Sequence, residues 1–313
     1  MSVGPSTRML LNVVKAGRQR QITASYSTLA QVCVATADGA ELVNDHPDVQ
    51  TWSLPASDAV ALVHANPGES WTLLRSAQLL EQQSVAVVPP HYRTVRTAGG
   101  RAVTFWHPPG RRHDDAAVSA WLTASIHTVH PKTALWLDPH DPFHGLLDSL
   151  ADAEVDQAGK RFLREHTARL REDWDRIDWP TPPTVILADT GMARAHEDSR
   201  CPRLLLRRPL RLGRREWDLV AARWKAELLR GHPADLDAYT RAYTARARRD
   251  LVQLHDQLAT WSGYRSVRDV LVLTEVMRTV ARAELDGRAR QLAQHQIACL
   301  RGTHQLPWTW GRR

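Results

Sequence analysis

Gly213-Arg214-Arg215-Glu216-Trp217-Asp218-Leu219 is the stretch on which the fold turns. It closes an arginine-rich segment and opens a run of apolar positions at helical spacing from Trp217 to Leu229. Beyond it the spacing predicts helices over Pro233 to Leu258, Ser266 to Ala283 and Leu285 to Leu300. Before it, helices are expected at Ala116 to Val129, Phe143 to Ala151 and Gln157 to Trp174, with Pro180 to Pro183 closing that stretch. Thr184 to Ala188 is a brief β-like run.

The first hundred residues read differently. Val49 to Leu54 and Ala59 to His64 are strands joined by a turn at Pro55 to Asp58, which suggests a hairpin. Glu69 to Gln83 has the apolar spacing of a helix. Strands are expected at Val85 to Val88, Tyr92 to Thr97 and Arg101 to Trp106, the last two joined through Gly99-Gly100. His107-Pro108-Pro109-Gly110 is a connector. The expected class is α+β in two lobes. Residues 1–106 form a small antiparallel-sheet lobe, residues 107–313 a larger, mainly helical lobe, and a hinge lies near 105–110.

Composition narrows the class. With 313 residues, 43% apolar and 24% charged, the chain has the balance of a globular protein with a sizeable core. No apolar run reaches the roughly 20 residues that span a bilayer, and the start carries no export signal, so a cytoplasmic protein is expected. Cys33, Cys201 and Cys299 are too few and too scattered for a disulfide framework or a zinc module. The net charge of +7 comes from 41 basic residues of which only four are lysines, a skew typical of a GC-rich bacterial genome. Aromatics are not interleaved with these cations, and binding of nucleic acid is not expected.

Several segments taken in order resemble the aminoglycoside phosphotransferase and choline kinase-like family. Gly213 to Leu219 resembles the segment after that family's metal site, and Val49 to Leu54 with Ala59 to Val63 its early strands. Gly100 to Trp106 resembles the strand entering its interlobe hinge, Ile126-His127-Thr128-Val129-His130 a helix end rich in Leu and His, and Val267 to Val270 a turn in its last helices. The resemblance spans nearly the whole chain and implies a bilobal, protein-kinase-like fold.

What the resemblance implies for chemistry is tested residue by residue. Phosphoryl transfer needs a positioned base or orienting Asp, metal ligands and a cation on the phosphates, all converging on one cleft. The family's His-Gly-Asp, four residues, Asn motif falls on Leu187-Ala188-Asp189 and Arg194. Asp189 matches, whereas Leu187 stands for the His and Arg194 for the Asn. An arginine has no lone pair for magnesium. The family's second metal-ligating Asp falls on Leu206, with Arg207 and Arg208 beside it. Its phosphate-gripping basic residue falls near Leu62, and that residue's carboxylate partner near Leu73, with Glu69 one turn away. These replacements lead to the expectation of a pseudokinase, not an enzyme, with no cofactor and no metal.

The segment Arg200 to Arg215 holds seven arginines and maps onto the cleft floor by the resemblance. Arg194, Arg203, Arg207, Arg208 and Arg211 are the candidate ligand-binding residues, suited to an acidic peptide or phosphorylated group through bidentate contacts. The plainer reading is a solvated loop paired with Glu197, Asp198 or Glu216. Asp138, His140, Asp141 and His144 sit in a Pro-rich turn, where such residues serve more often as caps than as metal ligands. Asp218 is expected to hold the loop, and His127 and His130 to be packed or hydrogen-bonded. The functional expectation is a peptide or protein partner held in an arginine-lined interlobe cleft, in support of a companion enzyme, with ribosomal-peptide natural-product modification as a setting by analogy. The rival readings are an unconventional small-molecule phosphotransferase using Asp189 and a small-molecule sequestering protein.

Overall fold

The structure is a computed structural model. It describes residues 22–310 apart from 33–38, 45–48, 114, 191–192, 194, 198–200, 230–234, 248–257, 259 and 284–286. A five-stranded antiparallel sheet forms the first half, from β1 (Glu41–Asn44), β2 (Val49–Leu54), β3 (Ala59–His64), β4 (Arg96–Ala98) and β5 (Arg101–Trp106), in the order β1-β2-β3-β5-β4. The β2–β3 turn passes through Asp58 at φ 46°, and Gly99 and Gly100 at φ 58° and 73° close the β4–β5 hairpin. That two-residue loop needs left-handed backbone at both positions, which glycine adopts without steric cost.

β3 explains how the sheet is covered on both faces. Its residues alternate sides, so Ala59, Ala61 and Val63 pack with Leu29, Trp52 and Leu54 on the outer face. Val60 and Leu62 point the other way, into a cluster with Leu73, Leu74, Ala77 and Leu80 of helix α2 (Pro67–Gln82). Residues 22–32 form helix α1, which precedes β1.

The second half is mainly helical. It contains β6 (Arg111–His113), α3 (Ala116–His127), α4 (Gln157–Asp175), β7 (Thr184–Ile186), β8 (Ala195–Glu197), β9 (Pro202–Leu204) and β10 (Arg211–Gly213). Helices α5 (Arg215–Leu228), α6 (Leu236–Arg246), α7 (Tyr264–Ala283) and α8 (Gly287–Leu300) follow. α7 buries Val267, Val270, Leu271, Leu273, Val276 and Val280 at helical spacing, in one cluster with Trp217, Trp224, Tyr239 and Tyr243. β7 pairs with β10, and β8 lies between β6 and β9. No helix among the described residues is long and apolar enough to cross a membrane.

Three local expectations are corrected. Val85 to Val88 is not a strand: Val87 makes a single parallel bridge to Leu204, and Val88 N donates to Leu204 O at 2.9 Å. Of Tyr92 to Thr97, only Arg96 and Thr97 enter a strand. Phe143 to Ala151 is turns and one short 3-10 segment, Asp148–Leu150, because Gly145 at φ 65° interrupts any helix there. The arginine-rich segment, read as irregular, contains β9 and β10. Within Pro233 to Leu258, α6 covers 236–246, and most of the rest lies outside the described residues.

Candidate functional site

Asp189 stands in the turn that follows β7, and the surrounding residues hold that turn tightly. Ala188, just before it, has φ 55°, a left-handed conformation costing a non-glycine residue on the order of 1–2 kcal/mol. The carboxylate of Asp218, in the first turn of α5, offsets this by accepting from Leu187 N at 2.8 Å and Ala188 N at 3.1 Å. His127 Nε2 lies 3.0 Å from the same carboxylate, and its Nδ1 lies 2.8 Å from the Tyr243 hydroxyl. On the far side, Trp217 Nε1 donates to Asp189 O and Trp224 Nε1 to Thr190 O, both at 2.8 Å. Backbone on both sides of the Asp189 side chain is thus pinned by buried groups. The carboxylate itself remains 49% exposed and accepts from Thr190 N at 2.7 Å.

Helix α7 approaches the turn with Arg278. Its guanidinium lies 3.6 Å from Asp189 Oδ1 and 3.8 Å from Glu275 Oε2, and it donates to Thr190 Oγ1. Lys225 Nζ is 3.4 Å from Glu275 Oε1. Burial pushes the Glu275 carboxyl up, but Lys225, Arg278 and the Thr190 hydrogen bond outweigh burial and hold it below the usual carboxylate range.

Two cavities meet at this turn. The larger, about 890 Å³, opens between the start of α2, the 138–149 loop, the 187–190 turn and α7. Glu69, Asp138, Asp141 and Asp148 line it, with Arg208, Arg211 and Arg278. Arg211 bridges two of the carboxylates, with Nη2 2.8 Å from Glu69 and Nη1 2.6 Å from Asp138. Asp141 accepts from Phe143 N at 3.0 Å and Arg171 Nη1 at 2.8 Å, which fixes the loop. His140 lies on the cavity wall, its ring 4.5 Å from the Trp217 ring, and burial lowers its pKa to about 4. The smaller cavity, about 90 Å³, is lined by Asp189 with Arg207, Arg208 and Arg278 and by apolar side chains including Leu204, Leu205 and Leu206. Leu187, Arg208 and Arg278 line both spaces, so Asp189 stands where they adjoin.

The candidate residues therefore separate. Arg207 and Arg208 reach the smaller cavity, and Arg208 and Arg211 the larger. Arg203, on β9, lines neither of these two cavities. Arg194 and Arg200 lie outside the described residues. Leu62, Leu73 and Leu206 belong to one apolar cluster that joins the sheet and α2 to the 204–206 segment. Asp138, His140, Asp141 and His144, read mainly as caps, line the larger cavity. Asp148 and Arg278 carry no functional signal in the sequence, because each lies in a segment whose only pattern is helical spacing. His127 is packed and hydrogen-bonded, and Asp218 holds the loop, as expected.

No family model and no curated protein matches the sequence. Solved structures do match. An amicoumacin kinase, in complex with AMP-PNP, calcium and Ami, superposes with a TM-score of 0.64 at 9% identity, covering 93% of this chain and 98% of that one. A choline/ethanolamine kinase family protein from Mesorhizobium loti gives 0.55 at 12% identity, covering 93% and 96%. The aminoglycoside phosphotransferase APH(4)-Ia gives 0.54 at 13% identity, covering 91% and 99%. The chain has the aminoglycoside phosphotransferase and choline kinase-like fold.

The expectation that the chain is not an enzyme is corrected by these likenesses. The proteins that share its fold over nearly their whole length are kinases and phosphotransferases by name. The replacements that the resemblance implies at Leu187, Arg194 and Leu206 do not by themselves make the chain inactive. They do bear on magnesium, which this fold implies. Leu206 is 2% exposed inside an apolar cluster, and among the described residues no group of three or more His, Cys, Asp or Glu is placed to hold a metal. The residues present around Leu206 do not fit a magnesium ion.

Proposed function

We propose that the chain is a small-molecule phosphotransferase, which moves a phosphoryl group from a nucleoside triphosphate onto a hydroxyl of an amine-bearing substrate. One observation carries the reading. Asp189 lines the smaller, arginine-bearing cavity, and its neighbours Ala188 and Thr190 line the larger one, where four carboxylates gather. The carboxylates favour a cationic ligand over an acidic peptide, and the volume of about 890 Å³ suits a small molecule. The names of the similar structures point the same way, since choline, ethanolamine and aminoglycosides are all hydroxylated amines.

In this reading the amine of the substrate pairs with Asp138, Asp148 or Glu69, which turns a hydroxyl toward Asp189. The Asp189 carboxylate takes the hydroxyl proton as the oxygen attacks the terminal phosphorus. The bond from that phosphorus to the bridging oxygen breaks, and nucleoside diphosphate leaves. Asp218, His127, Trp217 and Trp224 act as positioning residues, because they fix the backbone around Asp189 and do not touch the reacting atoms. Holding the base in place matters because displacements on the order of 1 Å cost about 100-fold in rate.

The test is a screen for nucleoside diphosphate release from ATP and GTP over amino alcohols and aminoglycosides, with and without magnesium. Release that depends on one amine, with phosphorylated product detected by mass, is expected. Saturable binding of an amine with no product from any donor would overturn the phosphotransferase reading and leave a stoichiometric binder.

A further inference from the structure

We infer that the smaller cavity is an oxyanion site in which Arg207, Arg208 and Arg278 do the charge-neutralising work that this fold implies for a metal. The inference rests on the phosphotransferase reading for the identity of the anion, a phosphoryl group, and on the geometry alone for its chemical class.

The arginines come from separate parts of the chain. Arg207 and Arg208 stand in the bend between β9 and β10, and Arg278 reaches across from α7. All three line one space of about 90 Å³, which accommodates a few water molecules or one tetrahedral anion but not a nucleoside. Among its lining residues are three arginines and one carboxylate, Asp189, a set that favours an anionic ligand over a cationic one. The rest of the lining is Val49, Leu187, Ala193 and Leu204 to Leu206, and an apolar wall strengthens each charge-assisted hydrogen bond by lowering the local dielectric. Guanidinium groups offer paired donors at the spacing of phosphate oxygens.

Arg278 has the larger part because it touches both sides of the chemistry. It lies 3.6 Å from Asp189 and lines both cavities. An anion beside Asp189 would otherwise meet an uncompensated carboxylate. Arg278 shields the two from each other, while Lys225 balances Glu275 behind it. At the Leu206 position, where the fold implies a carboxylate for a metal, the side chain is part of the apolar wall. Anion binding here is therefore independent of divalent cations.

The experiment is calorimetric titration of the whole chain with inorganic phosphate and with pyrophosphate, in EDTA, at fixed ionic strength with chloride as the control anion. One phosphate or pyrophosphate per chain is expected, weakened roughly tenfold or more by Arg278→Met and by the double change Arg207→Met with Arg208→Met. Asp189→Asn is expected to tighten it. Arg161→Met, an exposed arginine on α4, serves as the control and leaves it unchanged. Binding that appears only with magnesium, that ignores both cavity variants, or that falls equally in Arg161→Met would overturn the inference. If Arg278→Met fails to fold, the double variant alone decides. Anion binding in EDTA without amine phosphorylation would leave the inference standing and remove the phosphotransferase reading. Amine phosphorylation with magnesium-dependent anion binding would do the reverse.

Discussion

The two cavities that adjoin at the 187–190 turn share Arg208 and Arg278 but differ in what each adds to them. The larger gathers Glu69, Asp138, Asp141 and Asp148 from the start of α2 and an extended loop, and already spends an arginine bridging two of them. The smaller gathers three arginines against a wall of leucines. The contrast teaches that net charge was a poor guide to this site. A chain with a net charge of +7 gathers four carboxylates around the larger space and shares Arg208 and Arg278 between that space and the smaller one. The pinned turn sets where the two spaces adjoin, because Ala188 and Thr190 line the larger and Asp189 between them lines the smaller.

The largest way to break that arrangement is through Asp218. Its carboxylate accepts two backbone N–H groups and a histidine contact while 5% exposed. Asp218→Ala is expected to destabilise the fold by about 3–5 kcal/mol, measured by denaturant unfolding, since it strands His127 and two amides in the core. A loss under about 1 kcal/mol would show that the turn holds itself.

Acid should act next. Burial holds His64 and His140 neutral, with pKa values lowered to about 4 from an ordinary 6.5. The unfolded chain takes up these protons first, so stability is full above about pH 6.5 and falls as the pH drops toward 4. Each histidine contributes on the order of 3 kcal/mol to that fall, and His140→Gln should flatten its share of the slope. A pH-independent midpoint between 6.5 and 4 would contradict the burial of both rings.

Much of the frame was legible in the sequence and much of the site was not. β2, β3, α2 and β5 followed from alternation and helical spacing because each buries a well-defined apolar face. The helix expected at 143–151 failed because spacing carries no information on the left-handed Gly145. Asp189 was found through the resemblance, which also placed Ala188 at a glycine position, and the structure shows that residue with positive φ. The acidic cavity was not legible, since its carboxylates come from Glu69 and from Asp138 to Asp148, nearly seventy residues apart. Arg278 was hidden in an apolar helix pattern whose reading favours the buried stripe over the flank.

Two smaller changes sharpen the contrast between the cavities. Arg211→Met removes the bridge between Glu69 and Asp138, with a stability cost of about 1 kcal/mol or less because the pair is partly exposed. It should tighten amine binding several-fold in calorimetry, as two carboxylates lose their internal cation; weaker binding would mean Arg211 contacts the ligand directly. Ala188→Gly should raise stability by up to about 1 kcal/mol by relieving the left-handed strain, read as a rise in melting temperature.

The most direct measurement takes one amino alcohol that the chain phosphorylates and compares the parent with Asp189→Asn, following transfer by phosphorus NMR and amine affinity by calorimetry. The account predicts an unchanged amine affinity and a transfer rate lower by about 100-fold or more, the range expected for removing a positioned proton acceptor. Equal transfer rates in the two proteins would contradict it, and Asp189 would then be no more than a residue of the turn.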